Sequence, residues 1–362
     1  MAATGVASSL ATLGHQVKVL VCGQSVQDFK TNSVFFEKLS HSGAEVEVLQ
    51  RRGESKYGAI LRFHELKSIW SDINKSDFVI LHQVFELQHI SIFPILMILK
   101  KPFAVMPHGT LTAYQRKQHR FRKFLFAPVT YSFLKSAKSI FVATEQEKNQ
   151  LPRYLQKKGS VVGLGIDARD RQTRNTVNSS STFNLLFMGR IAKKKRVDIA
   201  LQAFALASKK SELRMKFIVC GSGEERDMAR LKELVVALHL EAEVEFRGWV
   251  DFNQKQQAFL DSDCFILTSE DENFAIAAAE ALAHGVPCIL SSNVALASLV
   301  TKHSAGIVFE ELAPFEIEKA IKTISVLDRE HLKNSSLRAA SELSWESIAL
   351  QWETSIEKLL KD

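Results

Sequence analysis

Short apolar or β-branched runs alternate with longer stretches of helical periodicity along the whole chain. The runs have the length of strands buried on both faces, and the stretches between them have the length of helices. This rhythm predicts an α/β protein with parallel sheets covered by helices on both sides. The strands are predicted at 17–21, 46–50, 78–83, 103–107, 139–144 and 161–165, and then at 184–189, 216–221, 244–248, 264–269, 286–290 and 305–309.

The two sets of predicted strands are separated by a polar segment, 168–182, which is rich in Ser, Asn and Arg and has no apolar period. It is predicted to be the linker between an N-terminal domain, 1–167, and a C-terminal domain, 183–344. The last segment, 345–362, is predicted to be a helix that packs back on the N-terminal domain. In doubly wound sheets ligands bind beyond the carboxyl ends of the strands, so we expect the functional residues there.

The composition is that of a soluble globular protein, with 46% hydrophobic and 24% charged residues. The longest strongly apolar run, 90–99, is about half as long as a membrane-spanning helix and contains Pro94, which predicts a buried helix. The chain does not open with a signal peptide, so we expect a cytoplasmic location. The cysteines lack metal-ligand spacing and are predicted to be reduced core thiols: Cys22, Cys220, Cys264 and Cys288.

The positive charge is concentrated in one segment. Between His108 and Thr144 there is no Asp or Glu, whereas Lys and Arg alternate with aromatic residues. Residues 115–138 therefore either meet an anionic membrane surface or a charged lipid-linked substrate, or form a solvated basic face with the aromatic rings in the core. No nucleic-acid partner is predicted, because the chain has no helix-turn-helix, zinc or RNA-binding signature. The residues concerned are Arg116, Lys117, Arg120, Arg122, Lys123, Lys135 and Lys138, with Phe121, Phe124, Phe126, Tyr131 and Phe133.

Two acids stand eight positions apart in the stretch SEDENFAIAAAEALAHGVP. Glu272 lies in the loop that leaves the predicted strand 264–269, and Glu280 lies on the following helix, which ends at Gly285. The start of that helix offers free N–H groups to an anion, and carboxylates can accept hydrogen bonds from hydroxyl groups. The stretch therefore predicts a site for a ligand with both phosphates and hydroxyls. The N–H groups are those of Phe274, Ala275 and Ile276.

The cationic half of such a site is predicted at the start of the second strand set. Strand 184–189 ends at Gly189, and Arg190 and Lys195 follow in the loop before the next helix. An arginine fork suits a phosphate, and the lysine adds a mobile positive charge. The segment DSD at 261–263 has the form of a metal-binding motif but precedes its strand, so we predict a turn or cap and no metal site.

These motifs resemble retaining glycosyltransferases of family 4. GRIAKKKRVD, CGSGEE, VEFRGWV and EDENFAIAAAEALAHGVP occur in the order and spacing of their C-terminal domain, while PHGTLTAYQRKQHRFRK and AKSIFVATEQE are similar to their N-terminal domain. The resemblance implies the GT-B fold, with two Rossmann-like domains facing a central cleft. It also implies transfer from a nucleotide-diphosphate sugar to a glycan or lipid-linked acceptor in polysaccharide biosynthesis, without a metal or other cofactor.

The resemblance also implies roles for single residues. Arg190 and Lys195 match the pair that binds the donor diphosphate, Glu272 the acid that contacts the donor sugar, and Glu280 the acid that holds the ribose. His108 matches the histidine that faces the transferred sugar. Trp249 and Val250 are expected to line the base pocket, and further donor contacts are expected at Gly189, Gly221, Asn273, Phe274, Ala275 and Ile276.

The chain departs from the family at three places. The family usually has glycine where Arg196 and Ala275 stand, and the methyl group of Ala275 bears on which sugar fits. In addition, segment 6–21 resembles the family's first helix and second strand, so the usual first strand and its glycine-rich loop would precede Met1. Either Met1 is an internal residue of a longer protein, or the chain is truncated. The second case motivates an alternative function as a non-catalytic nucleotide-sugar-binding or partner subunit.

Overall fold

The structure, a computed structural model, describes residues 2–23, 39–50, 61, 63–117, 130–166, 182–209 and 211–361. The chain divides into two compact units. The first unit comprises Met1–Gly165 and Trp345–Asp362, and the second comprises Ile166–Ser344. Every described sheet is parallel and is connected through helices, so the α/β prediction is confirmed. Most of the predicted linker lies outside the described residues, and its last residue, Thr182, already belongs to a strand.

The described strands of the first unit form two parallel sheets, β1-β2 and β3-β4-β5-β6. In the described part of this unit, no strand pair joins β1 to β3. The strands are β1 (Lys18–Gly23), β2 (Glu45–Gln50), β3 (Val79–His82), β4 (Phe103–Met106), β5 (Ser139–Val142) and β6 (Gly159–Val161). The helices are Ala2–Thr12, Phe63–Lys75, Leu87–Ile98, Ala113–Lys117, Glu145–Gln150, Arg153–Gln156 and Trp345–Lys361.

The apolar run at 90–99 forms a helix, but only one face of it is buried. Ile92, Ile95 and Leu96 lie in the core, whereas Met97 and Ile98 are 48% and 66% exposed. A helix on the surface of a sheet buries a stripe rather than its whole circumference, so the predicted helix is present and is buried along one face. Among the described residues, no helix is both long enough and apolar enough to cross a bilayer.

The C-terminal helix packs within the first unit through two tryptophans. The indole of Trp345 lies against Gly165, where an added Cβ would come within 2.4 Å of the ring. Trp352 donates its Nε1–H to the carbonyl of Gly163 at 3.2 Å. Gly163 has a left-handed φ of 71°. The strand predicted at 161–165 ends at Val161, and the residues that follow contact these two tryptophans.

The second unit contains one parallel sheet of six strands in the order β12-β11-β10-β7-β8-β9. The chain starts at β7 in the middle, moves outward to β9, and returns to the other side of β7 with β10. Loops that leave the carboxyl ends of β7 and β10 therefore diverge, which is where such sheets form a binding crevice. The strands are β7 (Thr182–Met188), β8 (Arg214–Cys220), β9 (Val244–Gly248), β10 (Cys264–Leu267), β11 (Cys288–Ser291) and β12 (Gly306–Phe309).

Helices connect these strands and bury an apolar core. They are Val197–Lys209, Glu225–Ala237, Phe252–Leu260, Ile276–Ala283, Ala297–His303, Pro314–Val326 and Arg329–Ser341. Cys220, Cys264 and Cys288 are free and buried, as predicted, and the side chain of Cys22 lies outside the described residues. Asp263, at the amino end of β10, accepts the N–H of Asn184 at 2.8 Å.

Candidate functional site

The loop after β7 and the loop after β10 are joined by hydrogen bonds. The first loop forms a short 3₁₀ helix, Lys193–Lys195. The hydroxyl of Thr268 donates to the carbonyls of Lys195 and Arg196, at 3.0 and 2.8 Å. The hydroxyl of Ser269 donates to the carbonyl of Lys194 at 3.2 Å. Neither hydroxyl residue was predicted to belong to the site, although a Thr-Ser pair at the end of a fully apolar strand was a signal for it.

The two joined loops bring Lys195 and Glu272 into direct contact, Nζ to Oε2. Their side chains are only 15% and 17% exposed. The loop after β11 holds the backbone of Glu272, since the N–H of Ala295 donates to the Glu272 carbonyl at 3.3 Å. The structure therefore places the predicted diphosphate-binding lysine against the predicted sugar-binding acid.

Burial is the largest influence on the pKa of Lys195, and it lowers that pKa below the ordinary lysine value. The nearby charges of Lys194 and Arg190 lower it further, whereas Glu272 raises it. Arg190 itself is exposed and directly follows Gly189. The ammonium of Lys195 thus lies in a partly desolvated place within electrostatic reach of two further cations, which favours an anionic ligand there.

Arg196 and Ala275 both adopt the left-handed backbone region, with φ of 48° and 63°. Arg196 ends the 3₁₀ helix, and Ala275 precedes the helix Ile276–Ala283. Glycine takes this conformation without steric cost, which explains why the resembled family has glycine at both positions. The helix was predicted to begin at Phe274 and begins two residues later, because a left-handed residue cannot continue a right-handed helix.

Glu280 forms an ion pair with Lys255, a residue that was not predicted to belong to the site. Its Oε1 lies 2.6 Å from Nζ of Lys255, and both side chains are mostly buried. Lys255 belongs to the helix Phe252–Leu260, which follows the loop carrying Trp249 and Val250. Trp249 is 75% exposed, so its indole is open to a ligand.

Gly189 and Gly221 bring the carboxyl ends of β7 and β8 together. A Cβ added to Gly221 would come within 1.9 Å of the Gly189 carbonyl oxygen. The Gly221 N–H donates to the carbonyl of Gly248, at the end of β9, at 2.6 Å. These glycines therefore have a structural requirement of their own, and their contact with a ligand stays a prediction.

His108 belongs to the first unit, where it follows β4. Its Nε2 lies 2.9 Å from Nδ1 of His82, and the two rings stack at 5.1 Å. Burial lowers the pKa of His108 to about 4 and that of His82 to about 3, so both rings are neutral at neutral pH.

The basic segment is described only in part. Phe133 is buried in the core and Tyr131 is 45% exposed. The central part of the segment, with Arg120, Arg122, Lys123, Phe121, Phe124 and Phe126, lies outside the described residues.

Two family models together match nearly the whole chain. The family model Glycosyltransferase Family 4 matches residues 3–170, and the family model Glycosyl transferases group 1 matches residues 169–339. N-acetyl-alpha-D-glucosaminyl L-malate synthase of Bacillus anthracis is 30% identical over 189 residues, which are 51% of this chain and 48% of that protein. Mannosylfructose-phosphate synthase of Agrobacterium fabrum is 27% identical over 184 residues, 46% of this chain and 38% of that protein. The match thus spans less than half the length of these curated relatives.

Solved structures of other proteins superpose on nearly the full length of this chain. Anabaena HepE, in complex with UDP and glucose, has a TM-score of 0.73 at 16% identity and covers 99% of this chain and 96% of its own. Sucrose-phosphate synthase of Thermosynechococcus elongatus has a TM-score of 0.71 at 17% identity, and the match covers 98% of this chain and 92% of that protein. At these identities the likeness shows the fold. The chain belongs to the family 4 glycosyltransferases and has the GT-B fold.

Proposed function

We propose that this chain transfers a sugar from a nucleotide-diphosphate sugar to a glycan or lipid-linked acceptor, with retention of the anomeric configuration, in polysaccharide biosynthesis. The observation that carries the proposal is the contact between Lys195 and Glu272, beside Arg190, at the point where the second sheet reverses its strand order. The solved Anabaena relative was crystallised with UDP and glucose, which supports a donor of this class.

The proposed chemistry requires negative charge to be stabilised as it develops. The bond from the anomeric carbon to the diphosphate oxygen breaks, and the nucleoside diphosphate leaves with the electron pair. The oxygen of the acceptor hydroxyl bonds to the anomeric carbon on the same face of the sugar, and its proton goes to the departing diphosphate. Arg190 and Lys195 would stabilise the departing diphosphate, which is the kind of preorganised electrostatic contribution that dominates many enzymes. Since these side chains supply the positive charge, no metal ion is required in the proposed mechanism.

The other predicted contacts would hold the rest of the donor. Glu272 would accept hydrogen bonds from sugar hydroxyls, and Glu280 would accept them from the ribose. Trp249 and Val250 would line the base, and His108 would face the transferred sugar. The loop before the helix Ile276–Ala283 would contribute backbone N–H groups.

A panel of UDP-, GDP-, ADP- and dTDP-sugars tests this function, with release of the nucleoside diphosphate as the readout. We expect at least one donor to be turned over. Lys195→Ala should lose about 100-fold or more in kcat. The matched control is Lys193→Ala, which removes an exposed lysine from the same run and should behave like the wild type. Equal turnover by wild type and Lys195→Ala would refute the role of Lys195.

Three further measurements separate the finer parts of the proposal. NMR of the product formed from an α-linked donor gives the anomeric outcome, and a β-linked product would exclude retention. Activity that persists in excess EDTA supports a metal-independent reaction, and a strict metal requirement would contradict it. Calorimetric binding of a donor without any turnover would favour the alternative, a non-catalytic subunit that binds nucleotide sugars.

We also propose that residues 115–138 bring the protein to an anionic membrane surface from the cytoplasmic side. The support is the absence of acids from this segment and its interleaved aromatic residues. Replacing Arg116, Arg120 and Lys123 by Glu should release the protein from phosphatidylglycerol vesicles. Unchanged binding would leave the segment as an ordinary basic surface.

A further inference from the structure

Two histidines meet in the first unit because their strands are neighbours in register. His82 is the last residue of β3 and pairs with Met106 at the end of β4. His108 lies two residues beyond Met106. Its Nε2 and the Nδ1 of His82 are 2.9 Å apart, and the rings lie nearly parallel at 17°. Since both rings are neutral, one nitrogen donates the hydrogen bond and the other accepts it.

The backbone that carries His108 is strained. His108 has a φ of 50° and the next residue, Gly109, has a φ of 79°, so two consecutive residues are left-handed. In this region the Cβ of a non-glycine residue lies too close to the backbone, so the conformation persists only where its surroundings enforce it. Such strain gathers at functional sites, and here it gives the ring of His108 a direction that an ordinary loop would not.

A buried carboxylate enforces this conformation. Glu147 is 2% exposed, and its Oε1 accepts the N–H of Gly109 at 2.7 Å. Its Oε2 accepts the N–H of Ala143, just after β5, at 2.8 Å. Glu147 therefore ties the loop after β4 to the end of the neighbouring strand through two short charge-assisted hydrogen bonds.

We infer that His82 and Glu147 are positioning residues for His108. Glu147 fixes the left-handed backbone at 108–109, and His82 fixes the plane and the proton of the His108 ring. Among the described residues, Nδ1 of His108 has no hydrogen-bond partner, so this nitrogen is the one offered to a ligand. Under the proposed function, on which this inference rests, that ligand is a hydroxyl group of the transferred sugar. A ring with one fixed tautomer meets the hydroxyl either as donor or as acceptor, and not as a mixture of the two.

The tautomer of His108 can be measured without any substrate. Long-range ¹H–¹⁵N spectra of the full chain labelled at histidine resolve the two ring nitrogens, and a His108→Gln variant identifies the signals of His108. We expect one neutral tautomer in the wild type. His82→Phe keeps the stacked ring but removes the nitrogen, so the His108 signals should move to averaged values. A single, unchanged tautomer in His82→Phe would overturn the inference.

Kinetics give a second readout and a matched control. We expect His82→Phe to lower kcat about 10- to 100-fold with a smaller change in the donor KM, because a misdirected group chiefly weakens the transition state. His82→Gln, which can still hydrogen-bond to Nε2, should recover part of that loss. His89→Phe removes another buried histidine of the same unit and should keep the wild-type kcat. Equal losses in His82→Phe and His89→Phe would reduce His82 to a packing residue.

Glu147→Gln retains one acceptor oxygen and loses the charge. We expect it to broaden or shift the backbone signals of Gly109 and to lower kcat, while circular dichroism stays that of the wild type. An unchanged Gly109 signal would contradict the role of Glu147. If the wild-type chain turns over no donor, the proposed function fails, whereas the NMR spectra still decide whether His82 and Glu147 position His108.

Discussion

Lys195 and Glu272 are in contact although 77 residues separate them in the sequence. Two buried hydroxyl groups, of Thr268 and Ser269, hold the lysine loop against the strand that leads to the acid. A partly buried ion pair is weak evidence for stability, because desolvation offsets much of the attraction. The desolvation of this pair is therefore better explained by ligand binding. An anionic group of the ligand would bind the ammonium of Lys195, and its hydroxyl groups would donate hydrogen bonds to the carboxylate of Glu272.

The pKa of Lys195 predicts an alkaline limit to activity. Since burial lowers that pKa from the ordinary value of 10.5, the ammonium is lost at a lower pH than for an exposed lysine. The kcat/KM for the donor should accordingly fall on an alkaline limb whose apparent pKa lies below 10.5. Lys195→Arg keeps its charge and should move that limb to higher pH. A pH profile of both proteins checks this, and an identical limb in the two would show that another group titrates.

Lys255 should act on donor binding through Glu280. The ammonium of Lys255 occupies one carboxylate oxygen of Glu280, and under the proposed function the other oxygen would accept a hydrogen bond from a ribose hydroxyl. Lys255→Met removes the partner that orients the acid, so the donor KM should rise about 5-fold, the equivalent of one hydrogen bond, with little change in kcat. With a 2′,3′-dideoxyribose donor the wild type and the variant should have equal KM. A KM effect of the same size on that donor would show that Lys255 acts elsewhere.

The protein should be more stable with glycine in place of Ala275. The φ of 63° at this position strains any residue with a Cβ, and relief of this strain exceeds the entropy that glycine adds to the unfolded chain. Ala275→Gly should raise the free energy of unfolding by about 1 kcal/mol. It should also admit donor sugars that the methyl group excludes. Urea unfolding and the donor panel measure the two effects.

Arg196→Gly is the matched comparison for Ala275→Gly. It relieves a similar strain but removes ion pairs to Asp198 and Glu270, at 3.2 and 2.9 Å. Its net change in stability should therefore be smaller. If Ala275→Gly were destabilising, the left-handed backbone at residue 275 would not be a source of strain.

The strands could be predicted from the sequence, and so could the cationic and acidic halves of the site, because these features depend on local patterns. Alternating apolar runs placed β7 and β10, and the residues just after each run included Lys195 and Glu272. The limits of β6 were missed because the apolar run continues beyond Val161, where the backbone of Gly163 bonds to Trp352, 189 residues away in the chain.

The supporting residues could not be found in the same way. Lys255 and His82 lie in no recognised motif, and Glu147 ends the segment AKSIFVATEQE without a predicted role. Each matters because the fold brings it to one particular partner. A glutamate in the first turn of a helix, such as Glu147, is ordinarily a favourable helix residue. Only the tertiary structure shows that its carboxylate is buried and bound to the loop of His108.

Acid should destabilise the first unit. Burial lowers the pKa of His82 to about 3, and those of His89 and His108 to about 4. In the unfolded chain a histidine titrates near 6.5, at roughly its reference value. Below that pH the unfolded state binds more protons than the folded state. The contribution of these histidines to stability is therefore complete above pH ~6.5 and is lost as the pH falls toward ~4.

Tryptophan fluorescence can follow this loss in one unit alone. Trp70, Trp345 and Trp352 lie in the first unit and Trp249 in the second, so a Trp249→Phe background reports the first unit only. Each histidine that stays neutral in the fold should contribute up to about 1.4 kcal/mol per pH unit to the decline of the unfolding free energy between pH ~6.5 and ~4. Replacing His89 by Phe should reduce the slope of the unfolding free energy against pH by the contribution of one histidine. A urea midpoint that is the same at neutral pH and near pH 5 would mean that these histidines are protonated near pH 5 in the folded chain as well. That result would contradict the lowered pKa values of His82, His89 and His108.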